Sequence, residues 1–238
     1  MQHKRFMILR MLWWRIRYAA WYVGRQILFW LAPSRTLHGL TVGLQPSLDG
    51  QVDARAFEKI EAGLGLIAAH EPRRLQRISR DLKRIWVERT AYAPAYYVEE
   101  LRLCVIDRTF VTADTTAPAM IAVAVVHEAT HARLFRRNIP YAEAIRPRIE
   151  AICDAQGAGF AQRLPGGEAL SRRILEQRPT DPTHWASDNL DRRWVDARRA
   201  ELVAARHELE DSPLPEWLKR LLRRVISSRA AQGAAHVD

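Results

Sequence analysis

His127-Glu128-Ala129-Thr130-His131 sets two imidazoles four residues apart with a carboxylate beside the first, and Glu150 and Asp154 follow, themselves four apart. On a helix, positions i and i+4 lie one turn apart on one face, so both imidazoles can reach one ion at about 2.0–2.1 Å. In a strand the same positions would be roughly 13 Å apart, too far to share a metal. Catalytic zinc takes three protein ligands and leaves one position for water. His127, His131 and Glu150 can fill the three, Glu128 stays free to move protons, and Asp154 can accept the other ring N–H of a ligating histidine and fix its tautomer. With 8 histidines and 15 glutamates in 238 residues, His-Glu-x-x-His arises by chance in about 0.02 chains of this composition, so the company of Glu150 and Asp154 carries much of the weight. His207-Glu208 is a decoy, since Asp211 stands where the second histidine would be.

The elements that must hold these groups follow from periodicity. Met120 to Val126 is apolar and β-branched, yet the metal geometry requires a helix, read over 116–136 with Thr115 or Thr116 as cap, Pro118 in the first turn, and Asn138 and Pro140 at its end. Ile145, Ile149 and Ile152 recur at helical spacing, which puts Glu150 and Asp154 on another face of a second helix. Gly157 and Gly159 there make sense if that helix approaches another backbone closely. Cys153 reads as a buried small hydrophobe.

The pattern His-Glu-x-x-His, eighteen intervening residues, then Glu-x-x-x-Asp resembles the gluzincin metallopeptidases, which include thermolysin-like enzymes and the membrane-linked endopeptidases of prenyl-protein processing and heat shock. The matching stretch runs from Val126 to about Ala161. The resemblance implies Zn2+ held by His127, His131 and Glu150, Glu128 as general base, Asp154 as partner of a ligating histidine, and an α+β, mostly helical zincin-like metallopeptidase domain with a small sheet and an active-site helix. Hydrolysis of a peptide bond by a zinc-activated water is the expected reaction. The strand read over 100–107 would lie at the cleft edge and pair with an extended substrate. A catalytically inactive zinc-binding protein of the same fold, acting as a regulatory or membrane-adaptor module, is the alternative. Tyr141 and His184 are candidates for oxyanion or substrate contacts.

Charge is unevenly distributed. Residues 1–40 carry seven basic and no acidic residues, whereas the remaining chain carries 30 basic and 27 acidic, so seven of the ten net charges sit at the start. A nearly balanced body lacks the basic face that nucleic-acid binding needs. From Phe6 to Ala32 an apolar, tryptophan-rich helix of about 40 Å is long enough to span a bilayer. Arg10, Arg15, Arg17 and Arg25 interrupt it, each costing about 2.5–3.5 kcal/mol near the bilayer centre. Arg10, Arg17 and Arg25 fall within one arc, the pattern of an interfacial helix. Residues 1–38 are therefore read as a basic amphipathic membrane-associating helix and 39–238 as the metallopeptidase domain. The expected location is a membrane surface on the cytoplasmic face, with a soluble cytoplasmic protein as the alternative. Self-packing of the helix and a tilted span are the other readings of the segment. Cys104 and Cys153, the two cysteines, argue against a disulfide-stapled scaffold.

Outside the motif, residues 32–50 read as a connector. Helices are expected over 53–70, 72–89, 168–177, 188–209 and 215–230. Arg73, Arg77, Arg80 and Arg84 form a solvated row on the second of these.

Overall fold

The computed structural model describes residues 24–224 except residues 25, 28, 48, 49, 91, 213 and 222. In chain order the elements are β1 (Ser34–Leu37), β2 (Leu40–Leu44), α1 (Gly50–His70), α2 (Pro72–Asp81), β3 (Arg84–Glu88), β4 (Ala95–Val98), β5 (Leu103–Asp107), α3 (Arg108–Thr112), α4 (Pro118–Arg136), α5 (Arg146–Ala161), α6 (Glu168–Glu176) and α7 (Ser187–Asp211). Short 3-10 turns, Glu143–Ile145 and Pro182–Trp185, precede α5 and α7. The fold is α+β, mostly helical, with one mixed five-stranded sheet in the order β1-β2-β3-β5-β4. The outer pairs β1/β2 and β4/β5 are antiparallel, while β2, β3 and β5 run parallel.

Alternation along the inner strands sorts their side chains between two layers. Val42, Leu44, Ile85, Val87, Cys104 and Ile106 face the helices, where Phe57, Ile60 and Leu64 of α1, Ile121, Val125 and Ala129 of α4, and Phe160 of α5 complete the main core. Trp86, Leu103 and Val105 point the other way and meet Phe29 and Ala32. The Phe29 ring stands edge-on to Trp86 with centroids 4.7 Å apart. This closes the second face of a sheet whose central strands are apolar on both sides.

Two expectations are corrected here. The presumed connector over 32–50 contains β1 and β2, joined by a tight turn in which His38 (φ 49°) and Gly39 (φ 81°) take left-handed backbone. The alternation Leu40-Thr-Val-Gly-Leu44 was the available signal. The helix expected over 72–89 stops at Asp81, and Leu82 turns into extended backbone with ψ 143°. Ile85 satisfied a helical spacing, but the β-branched run Ile85-Trp-Val87 also satisfies a period of two, and pairing with β2 and β5 decides for the strand. Arg84 thus leaves the solvated row, and its guanidinium lies 4.8 Å from the centre of the Phe29 ring.

The membrane-associating helix expected over 1–38 lies outside the described residues as far as residue 23. In the rest, residues 24, 26, 27 and 29–31 are helical and residues 34–37 form β1. Among the described residues, no helix is long and apolar enough to cross a membrane.

Candidate metal centre

Two helices build the site. Pro118 starts α4 where a missing N–H costs nothing. Lys59 of α1 holds the entry to α4 by donating to the carbonyls of Ala113 and Thr116, the latter at 3.0 Å. Gly63 lets α1 cross close by, since a Cβ there would sit 3.1 Å from the Pro118 carbonyl oxygen. Gly157 does the same between α5 and α4, where a Cβ would lie 3.2 Å from Val123 Cγ1. Gly159, expected to serve likewise, meets nothing within 4 Å. One of the two glycines therefore accounts for the close approach.

Across that contact the donors converge. His127 Nε2 and His131 Nε2 are 3.2 Å apart. Glu150 Oε2 lies 3.3 Å from the former, and Glu150 Oε1 lies 3.5 Å from the latter. Donors around a tetrahedral ion with bonds of about 2.0–2.1 Å are separated by about 3.3–3.4 Å. The two imidazoles and the carboxylate thus match, in type and spacing, what a zinc-sized ion needs. Asp154 Oδ1 is 3.2 Å from His127 Nδ1, so the carboxylate accepts from that nitrogen and leaves Nε2 turned towards His131 and Glu150. Glu128 is buried beside the pair and makes no hydrogen bond among the described residues.

The electrostatics follow from the crowding. Burial disfavours an imidazolium at His127, but hydrogen bonds to Asp154 and Glu150 and the charge of Glu128 outweigh it and push its pKa up to about 10. Glu150 is opposed by burial and held well below the usual carboxylate range by His127 and His131. Glu128 moves up: burial dominates, the two histidines counteract it, and Glu150 and Asp154 reinforce it.

Several neighbours have roles other than those read from the sequence, and Arg193 was not singled out there. Cys153 is buried, as expected of a small hydrophobe, but its sulfur lies within 4.8 Å of ring nitrogens of His127 and His131. Its place three residues after Glu150, on nearly the same helical face, was the signal. Tyr141 donates its hydroxyl to Glu150 and stands edge-on to the His131 ring at 5.4 Å. His184 does not hydrogen-bond the donors. Arg193 donates to its Nε2 at 2.6 Å and its carbonyl at 2.7 Å. A guanidinium can only donate, so Nε2 accepts and the ring is neutral. Burial and the Arg193 charge accordingly lower the His184 pKa. Arg146 ties this turn to the site, donating to the Trp185 carbonyl at 2.6 Å with its guanidinium 4.9 Å from the centre of the Tyr141 ring.

The strand expected over 100–107 is present as β5 but is internal to the sheet, flanked by β3 and β4. The edge belongs to β4, whose signal was weak because its tyrosines are half-buried on both faces. No other strand pairs with β4 on its outer side among the described residues.

No family model, no curated protein and no solved structure matches this chain.

Proposed function

We propose that the protein is a zincin-like, zinc-dependent metallopeptidase that hydrolyses peptide bonds, attached to a membrane surface through its N-terminal segment. The observation that carries the reading is the donor triangle of His127, His131 and Glu150 at 3.2–3.5 Å, with an unengaged Glu128 beside it. Bound there, Zn2+ would polarise a substrate carbonyl and acidify a water. Asp154 holds His127 in the tautomer whose Nε2 lone pair faces the ion. Glu128, with its basicity raised by burial, takes the proton from water and returns it to the departing amine. An extended peptide adds to the free edge of β4 by main-chain hydrogen bonds and so crosses the site at a fixed height.

Zinc stoichiometry and peptide cleavage test the reading together. Wild type should hold one zinc and cleave members of a proteome-derived peptide library. Glu128→Gln should keep the metal and lose at least about 100-fold in rate, the lower range for a general base. His131→Ala and Glu150→Ala should lose the metal. Full zinc in Glu150→Ala would remove the third-ligand assignment.

The position of Cys153 favours a second reading, in which the thiolate joins His127, His131 and Glu150 as a fourth ligand and closes the site in a non-catalytic, regulatory or adaptor protein. Cys153→Ala separates the two: the peptidase keeps its zinc, whereas the closed site releases it.

A further inference from the structure

A cavity of about 270 Å³ opens between α2, α4 and α5, on a flank of α4 turned away from the two histidines. Arg74 and Arg77 of α2, Arg133 of α4 and Arg137 just beyond it line it, with Asp81 the only acid. That acid is already engaged by Arg136 and lies 3.7 Å from Arg80. Arg74 is likewise engaged, by Glu71 and by Gln156, whose Oε1 accepts at 3.1 Å. Arg77, Arg133 and Arg137 have no carboxylate or hydrogen-bond acceptor among the described residues. Burial and the charges of Arg137, Arg77 and Arg80 depress the Arg133 pKa against the pull of Asp81, as expected where like charges face one another. Folding that gathers unpaired guanidinium groups around a concavity leaves positive potential for an anion to neutralise.

We infer that this groove is a binding site for a phosphate ester, with Arg77, Arg133 and Arg137 gripping the phosphate. Planar guanidinium forks match phosphate oxygens two at a time. The rest of the lining is mainly apolar, with Ile78, Val126 and Ala129 buried and Ile152 exposed at its side. A ligand with a phosphate at one end and a hydrocarbon portion at the other uses both surfaces, as the headgroup of an anionic phospholipid does. The volume takes a phosphate and a glycerol-sized group. The inference is independent of the metal centre, whose residues take no part in it.

The test uses the full chain and the double variant Arg77→Gln/Arg133→Gln, which keeps most of each side chain's aliphatic stem. Relief of repulsion should leave its melting temperature in chloride at or above that of wild type, which shows that it folds. Inorganic phosphate at constant ionic strength should raise the wild-type melting temperature and leave the variant unmoved. Vesicles of phosphatidylcholine with phosphatidylglycerol should bind wild type roughly thirtyfold more tightly than the variant, the effect of two headgroup-facing arginines. Pure phosphatidylcholine should not discriminate between the two proteins. A variant-sensitive phosphate shift without a vesicle effect assigns the site to a free phosphate ester, and the converse assigns it to lipid. Equal behaviour of the two proteins in both assays overturns the proposal, as does tighter, variant-sensitive binding of an RNA oligonucleotide than of either probe.

Discussion

His127 carries the site's pH dependence. Its pKa is near 10 in the folded, metal-free chain against 6.5 ordinarily, so its pairing is fully present below 6.5 and is lost as pH rises through 10. Glu150 works in the opposite sense: displaced below 4.5, its contribution is present above that value and lost on acidification. The metal-free chain should therefore be most stable between 4.5 and 6.5 as far as this pair is concerned, and should weaken steadily towards pH 10. Denaturation midpoints across that range check this, and a midpoint that climbs above pH 7 would contradict it. Because His127 holds a proton at neutral pH, zinc uptake at pH 7 should release at least one proton. Titration calorimetry in buffers of differing ionisation heat reads that number directly. At this scale the sequence was most legible: the two histidines, Glu128, Glu150 and Asp154 were each named from spacing, because helical geometry converts spacing into proximity. Tyr141, Cys153 and Arg193 were harder to read. Arg193 reaches His184, and Tyr141 reaches Glu150, across nine residues that join a turn or loop to a helix, a separation that no helical or strand period encodes.

Among the elements, the fit of α5 against α4 determines whether the donors meet. Gly157→Val would drive two methyl groups into Val123, whose Cγ1 is 3.2 Å from the first added carbon, and lever Glu150 and Asp154 off the histidines. Zinc affinity should fall by about tenfold or more, the scale seen when groups supporting metal ligands are displaced. Gly159→Ala is the matched control. It meets nothing within 4 Å and should raise stability by roughly 0.5–1 kcal/mol through helix propensity alone. Zinc titration with a competing chelator and thermal melts distinguish the pair. The long helices α1 and α7, of 21 and 25 residues, were readable from their length between breaks, and α4 because two imidazoles four residues apart can share an ion only on a helix. Strands of four or five residues give two or three alternations, too few to stand out. Only β5, inside the apolar run over 100–107, stands out from its surroundings.

At the scale of the whole molecule, the sheet is a partition, with the larger core on one side and, among the described residues, a smaller cluster on the other. Phe29 is the centre of that cluster, 8% exposed and packed on Trp86, while Trp30 beside it is 84% exposed. Phe29→Ala should cost about 3 kcal/mol in chemical denaturation, whereas Trp30→Ala should change stability by less than about 0.5 kcal/mol. Equal effects would mean that the strand-facing cluster is not formed in solution.

The unpaired flank of β4 has one more consequence. An edge on which no described strand pairs is also a template for identical copies, which would add to it in the same way as a bound peptide. Glu99 and Glu100, immediately after the strand, place like charges where two such copies would abut. Neutralising both should favour higher-order species in concentrated samples, and a saturating non-cleavable peptide should disperse them. Sedimentation of the two proteins with and without that peptide would show whether substrate recognition and self-association compete for the same ladder.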